Sequence, residues 1–147
     1  KRILTGAWDK MAHLWDIATG RELQTFGHYD RVYAVAFHPD GKRILTGSED
    51  HRALLWDIAT GRELKRFVHN SSVLAVAFHP DGKRILTSSL DHRARLWDIA
   101  SGRELQKFQG HNGSIRAVAF HSDGKRILTG SVDYTTRLWD MATGEGV

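Results

Sequence analysis

Cysteine is absent from the 147 residues, which removes disulfides, cysteine nucleophiles and thiolate metal sites together. That absence fits a reducing compartment, and the expected location is cytoplasmic. No uninterrupted apolar run approaches the roughly 18 residues that a membrane-spanning helix needs. Proline is scarce, two residues against 14 glycines, so turns must be made mainly by Gly, Asn and Asp. The chain opens on Lys1-Arg2-Ile3-Leu4-Thr5-Gly6, with neither an initiator Met nor an apolar signal region. The expectation is therefore a processed, engineered or excerpted chain. Charge of one sign is also lacking. Lys and Arg number 21 and Asp and Glu 17, giving +4, well short of a dedicated nucleic-acid binder.

A tandem repeat fills this composition. Trp-Asp occurs at Trp15-Asp16, Trp56-Asp57, Trp97-Asp98 and Trp139-Asp140, at intervals of 41, 41 and 42 residues. Lys-Arg-Ile-Leu-Thr recurs from Lys1, Lys42, Lys83 and Lys125 at the same intervals. Residues 1–41 and 42–82 share 29 identities without a gap. The periods run 1–41, 42–82, 83–124 and 125–147, with no linker between them.

Each period reads as four short strands. In the second, Arg43–Thr46 is β-rich, Arg52–Trp56 follows a polar turn, and Glu63–Phe67 alternates polar and apolar. Val73–Phe78 is nearly all apolar, which predicts a strand buried on both faces. Strands this short at regular spacing predict an all-β array. The alanines at 34, 36, 75, 77, 117 and 119 suit a crowded inner strand.

The period, the four Trp-Asp pairs in register and the Gly-His before an apolar strand resemble the WD-repeat β-propeller family over essentially the whole chain. The high internal identity is similar to bacterial, highly repetitive arrays, or to an engineered or excerpted piece of one. The resemblance implies blades of four antiparallel strands, about 3.5 blades here, each strand order starting at the central channel. It also implies a buried His, Thr, Asp and Trp tetrad in each blade. The second blade would use His28, Thr46, Asp50 and Trp56, and the third His69, Thr87, Asp91 and Trp97. The fourth would use His111, Thr129, Asp133 and Trp139, while the first has Thr5, Asp9 and Trp15 without a His. Val68 stands where the family places Gly before the His, and is expected to alter the backbone angle of the third tetrad.

A His, an Asp and a hydroxyl also make up a hydrolytic triad. Here the set recurs in every period beside a Trp and lacks a Gly-x-Ser-x-Gly elbow, so it reads as structural and the chain as no enzyme. An enzymatic propeller would need acids or metal ligands on the channel, and the inner strands carry none. His38, His79, His121, His51 and His92 have no metal-ligand spacing and read as exposed turn residues. No metal and no cofactor are expected. The Lys-Arg pairs at 42–43, 83–84 and 125–126 form a basic rim, which the adjacent Asp40, Asp81 and Asp123 make a solvated turn. No interleaved aromatics suggest nucleic acid, and nothing suggests a membrane.

Residues that differ between otherwise near-identical periods fall on the face that would carry the tetrad turns. They are Trp8, Glu49, Leu90 and Val132, then Arg31 and Tyr33, Ser72 and Leu74, and Ser114 and Arg116. Trp8, Arg31 and Tyr33 have hot-spot composition. Trp8, Arg31, Tyr33, Glu49, Leu74, Leu90 and Arg116 are thus candidates for binding another protein or peptide. The chain supplies 14 strands: three inner, four second, four third and three outer. Such an arc leaves both end blades open. The expectation is a scaffold that assembles with another copy into a homo-dimer or higher homo-oligomer. The alternatives are an engineered protein with no natural ligand, or the sensing part of a larger bacterial signalling protein.

Overall fold

The computed structural model describes residues 1–147. It contains 14 strands in four antiparallel sheets and no helix. The first sheet has three strands, β1 (Arg2–Gly6), β2 (Met11–Asp16) and β3 (Glu22–Gly27). The second runs β4 (Val32–Phe37), β5 (Arg43–Ser48), β6 (Arg52–Asp57) and β7 (Glu63–Val68). The third repeats it with β8 (Val73–Phe78), β9 (Arg84–Ser89), β10 (Ala94–Asp98) and β11 (Glu104–Phe108). The fourth stops at three, β12 (Ile115–Phe120), β13 (Arg126–Ser131) and β14 (Thr136–Asp140). β4, β8 and β12 are the inner strands, so the count by type is as the repeat requires.

The sheets stack face to face because each second strand carries apolar side chains on both sides. Ile44 and Leu45 are adjacent in β5 and both are fully buried. Ile44 packs with Ala12, Leu14 and Phe26 of the first sheet, and Leu45 with Val73, Ile85 and Trp97 of the third. The pattern repeats at Ile85 and Leu86. The result is three separate apolar layers, one between each pair of neighbouring sheets, instead of a single core.

The inner strands differ from the sequence expectation. They are half-buried, not enclosed on both faces: Ala34, Val35 and Ala36 of β4 all retain solvent exposure. Each pairs along one edge only, and its other edge faces the axis of the arc. A β-bulge interrupts each inner strand, between Val32 and Ala34, Val73 and Ala75, and Ile115 and Ala117. Tyr33, Leu74 and Arg116 are the extra residues.

Two of the histidines expected to be exposed are buried between blades. His38 Nε2 lies 2.7 Å from the Gly82 carbonyl, and its Nδ1 accepts the Asp40 N–H. Its ring meets Phe78 edge-on at 4.8 Å. His79 does the same with Gly124 and Phe120. A neighbouring blade is what buries them, since His121, which has no blade beyond it, is exposed along with His51 and His92.

Ile85 and Ile3 hold the same place in their strands, yet Ile85 is fully buried and Ile3 is 48% exposed. Ile85→Ala should cost about 2–5 kcal/mol and Ile3→Ala about 1 kcal/mol or less. Denaturant midpoints of the two variants check this, and equal losses would contradict the layered core.

Candidate functional site: the tetrads and the face above them

The turn from second to third strand builds the site. In it Asp50 accepts the Arg52 N–H on Oδ1 at 3.0 Å, and its other oxygen is left for the loop before β4. That oxygen accepts the His28 Nδ1–H at 2.8 Å and the Tyr29 N–H at 3.0 Å. His28 Nε2 accepts the Thr46 hydroxyl at 2.6 Å, and Thr46 Oγ1 accepts the Trp56 indole N–H at 2.9 Å. The fourth blade repeats the relay with His111 Nδ1 to Asp133 at 2.8 Å, Nε2 to Thr129 at 2.8 Å, and Trp139 to Thr129 at 2.8 Å. The carboxylates stay ionised. Burial works against the charge of Asp50, but the bonds from His28 and Tyr29 hold its pKa below the usual range. The hydroxyl of Thr135, then the His111 ring, lower that of Asp133.

The third set is only partly assembled. His69 Nε2 meets Thr87 Oγ1 at 2.7 Å and Trp97 donates to Thr87 at 2.9 Å. His69 Nδ1, however, turns to its own Phe67 carbonyl at 3.2 Å. Asp91 is taken instead by the buried Arg95 guanidinium, which also reaches Glu104 at 3.2 Å. Val68 stands where the blades with full tetrads have Gly27 and Gly110. Gly27 lies within β3 with no positive φ, but Gly110 has φ +150°, and a side chain there would come within 2.8 Å of the Arg137 guanidinium, so Val68 fills room that Gly110 leaves to its arginine. The residue that faces the turn from the third strand is Leu54 in the second blade and an arginine in the third and fourth: Arg95 takes its aspartate, whereas Arg137 lies over the Trp139 ring and leaves Asp133 to His111. The first blade follows the same logic. With no tetrad His, Asp9 pairs with His13 at 2.9 Å, and Trp15 still donates to Thr5 at 2.9 Å.

The residues expected to face a partner divide in two. Trp8 and Arg31 meet, with the guanidinium carbon 4.4 Å from the ring centre, and Arg31 lies 3.8 Å from Glu49. Trp8, Tyr33, Leu90, Val132 and Arg116 are exposed. Leu74 is not: it is 9% exposed, because β8 is the middle one of three inner strands and is flanked on both sides. Ser72 and Ser114 are buried too. Tyr29, which is exposed and lies under Arg52 at 4.9 Å, belongs to the same face and was missed. Its signal was available, since no other period has an aromatic after the His.

The opposite face is as the sequence suggests. Arg43, Arg84 and Arg126 pair with Asp40, Asp81 and Asp123 at 3.0, 2.9 and 2.7 Å. The hollows between blades there include an acid, such as Asp57 beside Arg2 and Lys42, and have no single sign of charge.

Burial, then the charge of Arg95, push the His69 pKa down to about 4 from 6.5. The folded chain therefore holds His69 neutral where the unfolded chain binds a proton. Its contribution is present above pH 6.5 and is lost as pH falls toward 4, by roughly 3 kcal/mol in all. Arg95→Leu frees Asp91 to accept the His69 Nδ1–H, as Leu54 permits in the second blade. Titration of His69 by NMR should then show its pKa moving up toward the ordinary value, with a flatter acid limb of stability. An unmoved His69 would rule Arg95 out as the diverting residue.

Comparison with known proteins agrees with this geometry. The family model described as WD40, a WD domain or G-beta repeat, matches residues 20–57, 61–98 and 102–140. One 41-residue segment is 46% identical to a nuclear distribution protein PAC1-2 of Postia placenta. Over the same length the chain is 49% and 51% identical to Lissencephaly-1 homologs of Heterostelium pallidum and Dictyostelium discoideum. Each match covers 27% of this chain and 10% of the relative. With three consecutive repeats matched across most of its length, the chain belongs to the WD40 repeat family.

Proposed function

We propose that this chain is a non-catalytic scaffold that binds a protein or peptide on the face carrying the tetrad turns, and that copies of the arc associate with one another. The observation that carries the first part is the Trp8–Arg31 pair. A large aromatic ring lies open to solvent and is held in place by a guanidinium 4.4 Å from its centre. Such a ring offers apolar area at little entropic cost, and the cation beside it offers directed hydrogen bonds. Tyr29 with Arg52, and Tyr33 on the bulge of β4, extend the same surface. The non-catalytic part is supported by the hydroxyls. Thr46, Thr87 and Thr129 are fully buried and each already accepts a Trp N–H, so none is placed to attack a substrate.

Association of copies is favoured by the end blades. Ile3 and Ile17 of the first blade are 48% and 51% exposed, whereas the corresponding residues of the next three blades are buried.

A peptide library displayed on phage and selected on the immobilised chain tests the binding face. Replacing Trp8, Arg31 and Tyr33 together by Ala should weaken a selected peptide at least about tenfold, since each lost hot-spot contact is worth roughly 1 kcal/mol or more. The melting curve should be unchanged. Full retention of binding by the triple variant would move the site off this face.

A further inference from the structure

We infer that the two ends of the arc are the two halves of one repeated junction, so that a second copy seats its first blade on the fourth blade of another, head to tail. This rests on the association of copies proposed above and specifies its surfaces.

The three junctions inside the chain show what each end is built to meet. In the middle one, the leading blade contributes Leu45, Ala53, Leu55 and Phe67, and the following blade contributes Val73, Ile85, Trp97 and Ile99. The other two junctions use the same register positions. The first blade carries an unused following half: Ile3, Trp15 and Ile17 stand at the places of Ile85, Trp97 and Ile99. The fourth blade carries an unused leading half: Leu128, Thr136 and Leu138 stand at the places of Leu45, Ala53 and Leu55. Leu45 is fully buried and Leu128 is 42% exposed. The glycines mark the same boundary. A side chain at Gly47 would strike Val73 and Val76 of the following blade at 2.8 and 3.0 Å. At Gly130, its equivalent in the last blade, only Ala117 of the same blade is near, at 3.7 Å.

The two ends are therefore different surfaces that fit each other, and neither fits itself. Two leading halves would set Leu128 against Leu128 with no Trp to cover it. Contacts between unlike surfaces close into a ring when the rotation permits and otherwise propagate. Two arcs of four sheets give eight, within the range of closed propellers. The seat is smaller than an internal junction. The first sheet has no inner strand, so the depression of about 220 Å³ that Ala117, Leu128 and Gly130 help to line stays open. Nor does the fourth sheet supply a counterpart of Phe67. Association is thus expected to depend on concentration.

Complementation tests the mode. In sedimentation across the micromolar range, the unaltered chain should reach at least twice its 16.6 kDa mass. Leu128→Asp blocks the leading half and Ile3→Asp the following half. Each variant alone should run as a single chain, because every head-to-tail contact needs both halves. An equimolar mixture still holds one good half of each kind and should form a two-chain species that goes no further. Circular dichroism checks that each variant folds, and Thr136→Asp with Ile17→Asp provides a second pair at exposed positions. If the unaltered chain stays single, association itself fails. If it associates but either variant alone still doubles, or the mixture stays single, association stands and the head-to-tail mode is overturned.

Discussion

A sheet that is apolar on both faces has to be covered twice, and the rest of this structure follows from that requirement. Adjacent residues such as Ile44 and Leu45 point to opposite sides of a strand and both must leave water. A solitary blade has one sheet and no second layer. Only stacking satisfies it, and stacking sheets of right-handed twist around a common axis produces an arc. The apolar layers are separate, so stability is distributed as contributions from blades and from junctions between neighbours. Blades two and three each have two junctions, while the first and fourth have one. The four positive-φ residues after the turn aspartates, Lys10, His51, His92 and Tyr134, are tolerated because the Asp side chain ties down the amide beyond them.

Polar chemistry then fixes how blades meet along the strand direction. Trp, Thr and His form a relay between the third strand, the second strand and the loop arriving from the preceding blade. A slip by one residue would break every member of it. On the other face His38 and His79 make a second tie, from one inner strand to the next blade's turn. The first blade supplies no such His, and Arg2 donates to the Gly41 carbonyl at 2.8 Å in its place.

Architecture was legible in the sequence because it repeats. Period, strand types and strand count follow from register, and the partners of His28 and His111 follow from the resemblance to the family mapped onto that register. Side-chain choices were not legible in the same way. Asp91 is taken by Arg95, yet Arg137 at the same place leaves Asp133 to His111, so the residue at that position does not decide the outcome alone. Val68 breaks the pattern, and the two glycines at its place differ: Gly27 has no positive φ, whereas Gly110, in the blade that combines an arginine with a full tetrad, has φ +150°. The burial of His38 was missed for a different reason. It depends on a neighbouring blade, and a residue's place within its own period carries no information about the adjacent one. Leu74 was misjudged likewise: its equivalents Tyr33 and Arg116 lie on outer members of a trio of strands, and its own strand lies between them.

Each tetrad draws its His from one sequence period and its Thr, Asp and Trp from the next. His28 precedes the boundary at residue 41, and Thr46, Asp50 and Trp56 follow it. Blade and period are thus out of phase by roughly one strand, and the chain is stitched across every period boundary. A tandem duplication of one period's length therefore need not respect blade limits. Wherever the copied stretch begins, the new joint keeps the register of tetrad and junction, and the inserted segment enters the arc as one more blade.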